Sequence, residues 1–448
     1  MEERNARDKA LATDPVGRLL LRLSLPAILG MLVQASYNFI DAVFIGRAVG
    51  PSGLAGVSVA FPVQLLLGSI AMTIGVGGAS VVSRSLGAGD SDRADRALFT
   101  VTLLSVALAL LALAAGLIWR TELASLFGAS GDVVARTVEF LDVLFLGAPF
   151  LCFSMAANAL IRAEGNARTA MATMLVSVAV NVALAPPLLF WAKMGMRGAA
   201  IATVAGQGAS ALWIFLYFLR RRGVLRFRRR LILPQAAMVR EIFLVGSSEF
   251  VRLGTGSIVV GILNNALAAY GGPESVAVYG IVNRSLSISF MCLLGIAQGM
   301  QPVLGFNYGA GLMDRSRRVM LLTVGAASLV SAGSCLFYFF FPGAVVRFFT
   351  DDAPLIGQSV SALRLVVPAY WIAGFQIAGS AAFQALGKGG YSLVLSLSRQ
   401  VLFLLPFLYV FPRFWGLAGV WLVFPAADSL SAIVTLFFFL REWKRLRT

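Results

Sequence analysis

Residues 23–46 read LSLPAILGMLVQASYNFIDAVFIG, an apolar run of helical length in which Asp41 is the only charged side chain. A helix of about 20 mostly apolar residues crosses the hydrocarbon core of a bilayer, so this run predicts a transmembrane helix. Gln34, Tyr37 and Asn38 precede Asp41 at helical spacing and form one polar stripe with it. An acid at the bilayer centre costs about 3 kcal/mol on insertion scales and is a functional candidate by default. The stripe therefore indicates a protein that handles protons or cations inside a membrane.

The whole chain has the composition of a multispanning membrane protein. Of its 448 residues, 58% are hydrophobic and 13% are charged, which is far too little charge for a soluble protein of this length. The fold class predicted is an all-α polytopic membrane protein with twelve spans, at residues 19–46, 54–83, 97–118, 136–161, 169–192, 198–219, 241–269, 276–306, 319–341, 357–385, 391–411 and 417–440.

The net charge of +16 does not indicate nucleic-acid binding. With twelve spans both termini lie on one side, and most Lys and Arg residues fall on that same side, which the positive-inside rule makes cytoplasmic. The chain has no histidine, so any proton-coupled chemistry must use carboxylates, assisted by tyrosine or water. The three cysteines lie in apolar spans and suit packing better than a metal site. No metal or other cofactor is predicted.

The second half of the sequence repeats the first at an almost constant offset, close to half the length of the chain. The matching segments are Gly50-Pro51 with Gly272-Pro273, Gly87-Ala88-Gly89 with Gly309-Ala310-Gly311, Ala163-Glu164-Gly165 with Ala385-Leu386-Gly387, and Gly195 and Gly198 with Gly416 and Gly419. We expect two six-helix lobes related by pseudo-two-fold symmetry, residues 1–219 and 241–448, joined by a basic cytoplasmic linker, residues 220–240. Parallel halves with a site between them are typical of alternating-access transporters.

Several motifs resemble the multidrug and toxic compound extrusion (MATE) family. They are Tyr37–Gly46, Gly75–Gly78 with Leu86-Gly87, Arg162–Asn166, Gly299–Pro302, Asn307–Ala310 and Ser398–Gln400. The resemblance covers roughly residues 15–440 and looks closest to the bacterial DinF branch, particularly its MepA-like multidrug exporters. It implies a two-lobe antiporter of the bacterial inner membrane that exports cationic or amphipathic compounds in exchange for H⁺ or Na⁺.

The resemblance also implies a coupling site in the N-terminal lobe. Its residues here are Asp41, Tyr37, Asn181 and Thr203. The family pattern has a second Asp four residues after the Asn, where this chain has Ala185. A single acid would bind Na⁺ poorly unless neutral oxygens complete the shell, so H⁺ is the favoured coupling ion.

The predicted substrate-contact residues are Gln34, Asn38, Gln64, Asn158 and Met174; for Asn158 and Met174 the assignment rests on the resemblance. Each of them singly is more typical of a packing residue. Pro26 removes a backbone hydrogen bond from the first helix and is the predicted hinge, with a static kink as the alternative.

Charged residues in the second lobe form a secondary set of candidates. Glu249 and Arg252 are spaced to pair on one helix face, and Glu249 is an alternative source of the acid missing at Ala185. Arg284, Arg364 and Arg399 lie within spans. Asp428 is an available partner for such a buried arginine.

The function predicted is an ion-coupled multidrug antiporter, a monomer in contact with membrane lipid. The alternative is a flippase for an anionic lipid-linked saccharide on a related scaffold, which four intramembrane arginines favour and Asp41 disfavours. An enzyme is not expected, since the chain lacks histidine, a reactive thiol site and paired loop acids. The sequence contains no Walker-type phosphate loop, so ATP is not the expected energy source.

Overall fold

The computed structural model describes residues 10–228 and 234–447, with the side chains of Asn38, Phe39 and Ser257 left out. Over these residues the chain is helical and contains no β-strand. A spanning helix satisfies its own backbone N–H and C=O groups, which lipid cannot do. The lipid environment therefore accounts both for the apolar composition and for the helical fold.

Ten continuous helices within the described residues are long and apolar enough to cross a membrane. Two of them are each two helices in sequence, because Gly272 (φ 75°) and Gly416 (φ 55°) interrupt the helical backbone. We number the resulting twelve as α1 Val16–Ala48, α2 Pro51–Gly87, α3 Ser91–Ile118, α4 Asp132–Ala163, α5 Ala167–Trp191, α6 Gly195–Leu219, α7 236–271, α8 273–309, α9 Met313–Phe340, α10 Ala353–Ala385, α11 389–415 and α12 417–445. Short helices Arg120–Leu126 and Pro342–Arg347 precede α4 and α10. The predicted fold class is confirmed.

The internal repeat is visible in the backbone itself. Four pairs of glycines at equivalent positions of the two halves share a positive φ of similar size: Gly50 and Gly272 (83° and 75°), Gly89 and Gly311 (75° and 73°), Gly165 and Gly387 (81° and 74°), and Gly195 and Gly416 (57° and 55°). This backbone region is open to glycine at little cost and strains other residues. The turns between corresponding helices therefore have the same geometry in both halves.

The two halves approach each other most closely through glycines. Gly77 of α2 lies against Ile242 of α7, and Gly246 of α7 lies against Thr73 of α2. Further close approaches join α2 and α8, at Gly87–Phe306, Gly305–Ser83 and Gly309–Arg84, and α1 and α8, at Gly295–Ile28 and Gly299–Ser24. Small residues let membrane helices pack backbone to backbone. These contacts lie where α1 and α7 begin and α2 and α8 end, which we call the terminal end of the bundle.

An ionic contact also closes the terminal end. Glu241 of α7 accepts from Arg84 of α2 and from Arg93 of α3, each at 2.7 Å. Its carboxylate therefore bridges the first half of the chain to the second. No sequence pattern predicted this contact, since the partners are far apart in the chain.

The described part of the linker packs on the first half of the chain. Buried Glu164 accepts from the backbone N–H groups of Val224 and Leu225, at 2.7 and 3.2 Å. Asp95 accepts from the backbone N–H of Arg226 at 2.8 Å. Residues 229–233 lie outside the described chain, and the lobe boundaries at 219 and 241 stay a prediction.

Candidate functional site

Three of the four predicted coupling residues meet where α1, α5 and α6 converge. The Asn181 amide donates to Thr203 Oγ1 at 3.2 Å, and Tyr37 Oη lies 3.3 Å from the same oxygen. Thr203 itself donates to the carbonyl of Ala199, one turn earlier on α6. Because the threonine proton is used there, the tyrosine must donate to Thr203. A single hydroxyl thus links the polar stripe of α1 to two other helices.

Asp41 lies one turn beyond Tyr37 on α1 and is 9% exposed. Its Oδ1 atom is buried and has no hydrogen-bond partner among the described residues. The arginines and lysines of residues 10–228 and 234–447 form no ion pair with it either. A buried carboxylate without compensation is costly, so Asp41 gains free energy from taking up a proton or a cation. This is the chemistry that an exchange site requires.

Ala185 supplies no second acid to this region. It is fully buried in an apolar cluster that includes Ile45 of α1 and Ala199 and Ala202 of α6. The methyl group therefore completes hydrophobic packing at the position where the family pattern has a carboxylate. The described residues contain no group of three or more acids, histidines or cysteines placed to hold a metal ion.

The predicted substrate-contact residues do not form one cluster of contacts. Met174 of α5 packs against Gly30 of α1, one turn before Gln34. Gln34 and Gln64 are both partly exposed. The side chain of Asn38 lies outside the described part of the structure. Their contact with substrate stays a prediction.

Asn158 serves a structural purpose that the sequence did not reveal. Its amide donates to the Ala170 carbonyl and to Thr173 Oγ1, both at 2.8 Å, and its Oδ1 accepts from Arg162. The side chain is 7% exposed and fastens α4 to α5. These contacts favour the packing interpretation, because a substrate would have to compete with three intramolecular partners.

Pro26 lies inside α1 between two close approaches of the lobes. Ser24 meets Gly299 and Ile28 meets Gly295 on α8. A proline removes one backbone hydrogen bond from the helix interior, so α1 is weakened within its contact with the second half. The predicted hinge is thus placed where bending would change that contact.

Four of the five candidate charges of the second lobe form two neutralised pairs. Arg252 donates to Glu249 through Nε at 3.0 Å, and Gln384 donates to the other oxygen of that carboxylate at 2.9 Å. Arg399 donates to Asp428 through Nε at 2.6 Å. The sequence did not predict the hydrogen bond from Gln384 to Glu249, since it joins helices that are far apart in the chain.

Arg284 differs from those two arginines. Its side chain is exposed on α8 rather than enclosed by the lobe.

Comparison with known proteins agrees with this architecture. A family model described as MatE matches residues 26–186 and 257–410, which is more than half of the chain and includes most of both halves. The chain belongs to the MATE family. MATE proteins are transporters, so the prediction of a multipass membrane transporter that is not an enzyme is confirmed.

The similarity to individual MATE proteins extends over nearly the whole chain. The multidrug export protein MepA of Staphylococcus aureus (strain MRSA252) is 28% identical over 429 residues, which are 94% of this chain and 93% of MepA. An outward-facing multidrug resistance MATE family transporter of the MOP superfamily superposes with a TM-score of 0.93 at 28% identity, covering 98% of both chains. A crystal structure of MATE in complex with MaL6 gives 0.92 at 28% identity, covering 98% of this chain and 99% of that one.

Proposed function

We propose that this protein is an ion-coupled multidrug antiporter of the bacterial inner membrane. It exports cationic or amphipathic compounds and takes up protons in exchange, with Na⁺ as the alternative coupling ion. The names of its relatives support multidrug export, since MepA is a multidrug export protein and the outward-facing neighbour is a multidrug resistance transporter. The working unit is one chain with both termini in the cytoplasm.

The observation that carries the proposal is the uncompensated carboxylate of Asp41. A proton neutralises that charge, and so does a bound organic cation, but the two cannot do so together. Binding of one therefore opposes binding of the other, which is the condition for exchange. Tyr37, Asn181 and Thr203 offer neutral oxygen atoms nearby, while Ala185 adds none. A single acid with few ligands suits a proton better than Na⁺.

The glycine contacts at the terminal end support alternating access. They join the halves through helix backbones with little interlocking of long side chains, so the halves can separate there without dismantling either lobe. Exchange of one proton for one singly charged cation moves no net charge, so the pH gradient drives it. One pH unit supplies about 1.4 kcal/mol, which is enough for roughly tenfold accumulation of the cation.

The flippase alternative has less support. It requires a strongly basic cavity, and two of the four intramembrane arginines, Arg252 and Arg399, are held in ion pairs. A lipid-linked anion would have to displace Glu249 or Asp428 to reach them.

Transport by the Asp41→Asn variant tests the proposal. The variant keeps the shape of the side chain and removes its charge. In proteoliposomes with an imposed pH gradient, we expect wild-type protein to accumulate an organic cation and Asp41→Asn to lose that accumulation. Glu139→Gln, a partly exposed acid of α4, is the matched control and should transport normally.

The same vesicles separate the two coupling ions. We expect a pH gradient alone to drive uptake and a Na⁺ gradient alone to drive none. Drug movement that responds to Na⁺ and ignores pH would refute the proton version. Unchanged export and unchanged pH dependence in Asp41→Asn would refute the role of the acid altogether.

A further inference from the structure

A small cavity opens at the terminal end of the second half, away from Asp41. It has a volume of about 240 Å³ and is lined by Phe383 of α10, Tyr391 of α11, and Phe438, Arg441, Glu442 and Arg445 of α12. Sites for drug-sized ligands usually measure about 300–1,000 Å³. The cavity therefore suits a compact chemical group rather than an exported drug.

Three aromatic rings form one wall of the cavity. The ring centroids of Phe383 and Tyr391 are 5.6 Å apart, and those of Tyr391 and Phe438 are 5.2 Å apart. Phe383 is almost fully buried, at 1% exposure. These rings join three helices, so the wall is preformed.

The other wall is basic. Glu442 is paired with Lys388 of the turn between α10 and α11, which neutralises the one acid at the cavity. The other charged side chains that line the cavity are those of Arg441 and Arg445. Arg441 is exposed and makes no ion pair or hydrogen bond within the described chain. An anionic group at the cavity would meet that guanidinium directly.

The depth of the cavity in the membrane indicates the source of the anion. Arg441 directly follows the last apolar run of α12, residues 429–440. On the same helix Phe437, one turn before Arg441, is 62% exposed, and Leu436 and Leu440 are 45 and 49% exposed. The exposed apolar surface of α12 therefore ends where its arginines begin, an arrangement that matches an amphiphile with a phosphate head. Basic pockets between membrane helices bind such heads.

We propose that this cavity, bounded by Phe383, Tyr391, Phe438, Arg441 and Arg445, binds the phosphate headgroup of an anionic phospholipid in the leaflet at the terminal end. The guanidinium of Arg441 forms the charge-assisted hydrogen bonds. The acyl chains lie along the exposed apolar face of α12. The site is separate from the drug pathway, so it holds whether or not the proposed transport function is correct.

Native mass spectrometry of the full-length protein tests the proposal. The protein is titrated in detergent with phosphatidylglycerol, phosphatidylcholine or inorganic phosphate. We expect one phosphatidylglycerol to bind with about tenfold preference over phosphatidylcholine, since both lipids carry the phosphate but the arginines repel the choline ammonium of phosphatidylcholine. Equal binding of the two lipids would overturn the proposal, and binding of inorganic phosphate as strong as that of the lipid would overturn its lipid source.

Variants of α12 locate the site. Arg441→Gln should weaken phosphatidylglycerol binding about tenfold or more, and Arg441→Lys should restore part of it. Lys444→Gln is the matched control, because Lys444 is exposed on the same turns of α12 and does not line the cavity. If Lys444→Gln weakens binding as much as Arg441→Gln does, the lipid is attracted by general surface charge and the site is disproved. Arg441 is exposed, so its loss should not prevent folding.

Discussion

Replacing Gly246 with alanine should force the two halves apart at the terminal end. A Cβ atom at this position would lie 1.9 Å from the carbonyl oxygen of Thr73 and 2.6 Å from its carbonyl carbon. Ordinary contact begins near 3.4 Å, so both atoms lie far inside the contact distance. Both partners are backbone atoms of packed helices, and no side-chain rotation can relieve the overlap.

The size of the effect follows from the cost of overpacking. Extra carbon atoms in a well-packed interior cost about 1–3 kcal/mol, and a clash with backbone belongs at the upper end. The cost applies only where α2 and α7 touch, so it raises the free energy of the closed terminal end relative to a form separated there. About 3 kcal/mol corresponds to roughly a hundredfold change in the ratio of two states.

Thiol labelling measures this change. In protein whose native cysteines are replaced, a cysteine at Ala297, which is buried on α8 near the contacts between the halves, should react with a maleimide about 10- to 100-fold faster in Gly246→Ala. Gly254→Ala is the control on the same helix, because a Cβ there meets nothing within 4 Å. Labelling and thermal stability that match wild type in Gly246→Ala would refute the reasoning.

Three further substitutions test the charged contacts. Arg399→Met leaves Asp428, whose side chain is 8% exposed, without its partner, so it should lower the free energy of unfolding by about 3–5 kcal/mol. Asp428→Asn should cost less, because over a third of the arginine side chain reaches solvent. Equal losses of stability in thermal unfolding would contradict this. Glu164→Gln weakens the acceptor for two linker N–H groups, so limited proteolysis within residues 220–228 should speed up about tenfold, and an unchanged rate would count against the contact. Glu249→Gln should reduce thermal stability through its lost pairing with Arg252 while leaving the pH dependence of transport unchanged; an altered pH profile would show that this acid participates in coupling.

Hydropathy predicted the helices well and their ends less well. Each of the twelve predicted spans falls on one helix, and the errors are mainly late starts. α3 begins at Ser91 rather than 97, and α9 at Met313 rather than 319. The missed turns, SDRADR and MDRSRR, carry charges. Helices extend beyond the hydrocarbon into the headgroup layer, where charged residues are favourable, so an apolar pattern alone cannot find their true beginnings.

The residues of the candidate coupling site could be named from the sequence because they lie in motifs. Tyr37, Asn181 and Thr203 were named on the resemblance, and the structure brings them within hydrogen-bonding distance. Contacts such as Glu241 with Arg84 left no trace in the sequence. A carboxylate near the start of a helix carries no information about which distant arginine it meets, and only the packing of the two halves decides that.

Among the described residues, the first half of the duplicated scaffold carries a buried acid without an ion pair, Asp41, and the second half carries none. At the equivalent positions of the repeat, Asp41 corresponds to Leu263 and Tyr37 to Val259, both buried and apolar. The acids that lie deep in the second half, Glu249 and Asp428, are each paired with an arginine among the described residues. A pair that carries its own counter-charge has little to gain from an incoming cation, whereas Asp41 has much to gain. We therefore expect the proposed exchange of proton for drug to take place in the first half of the chain.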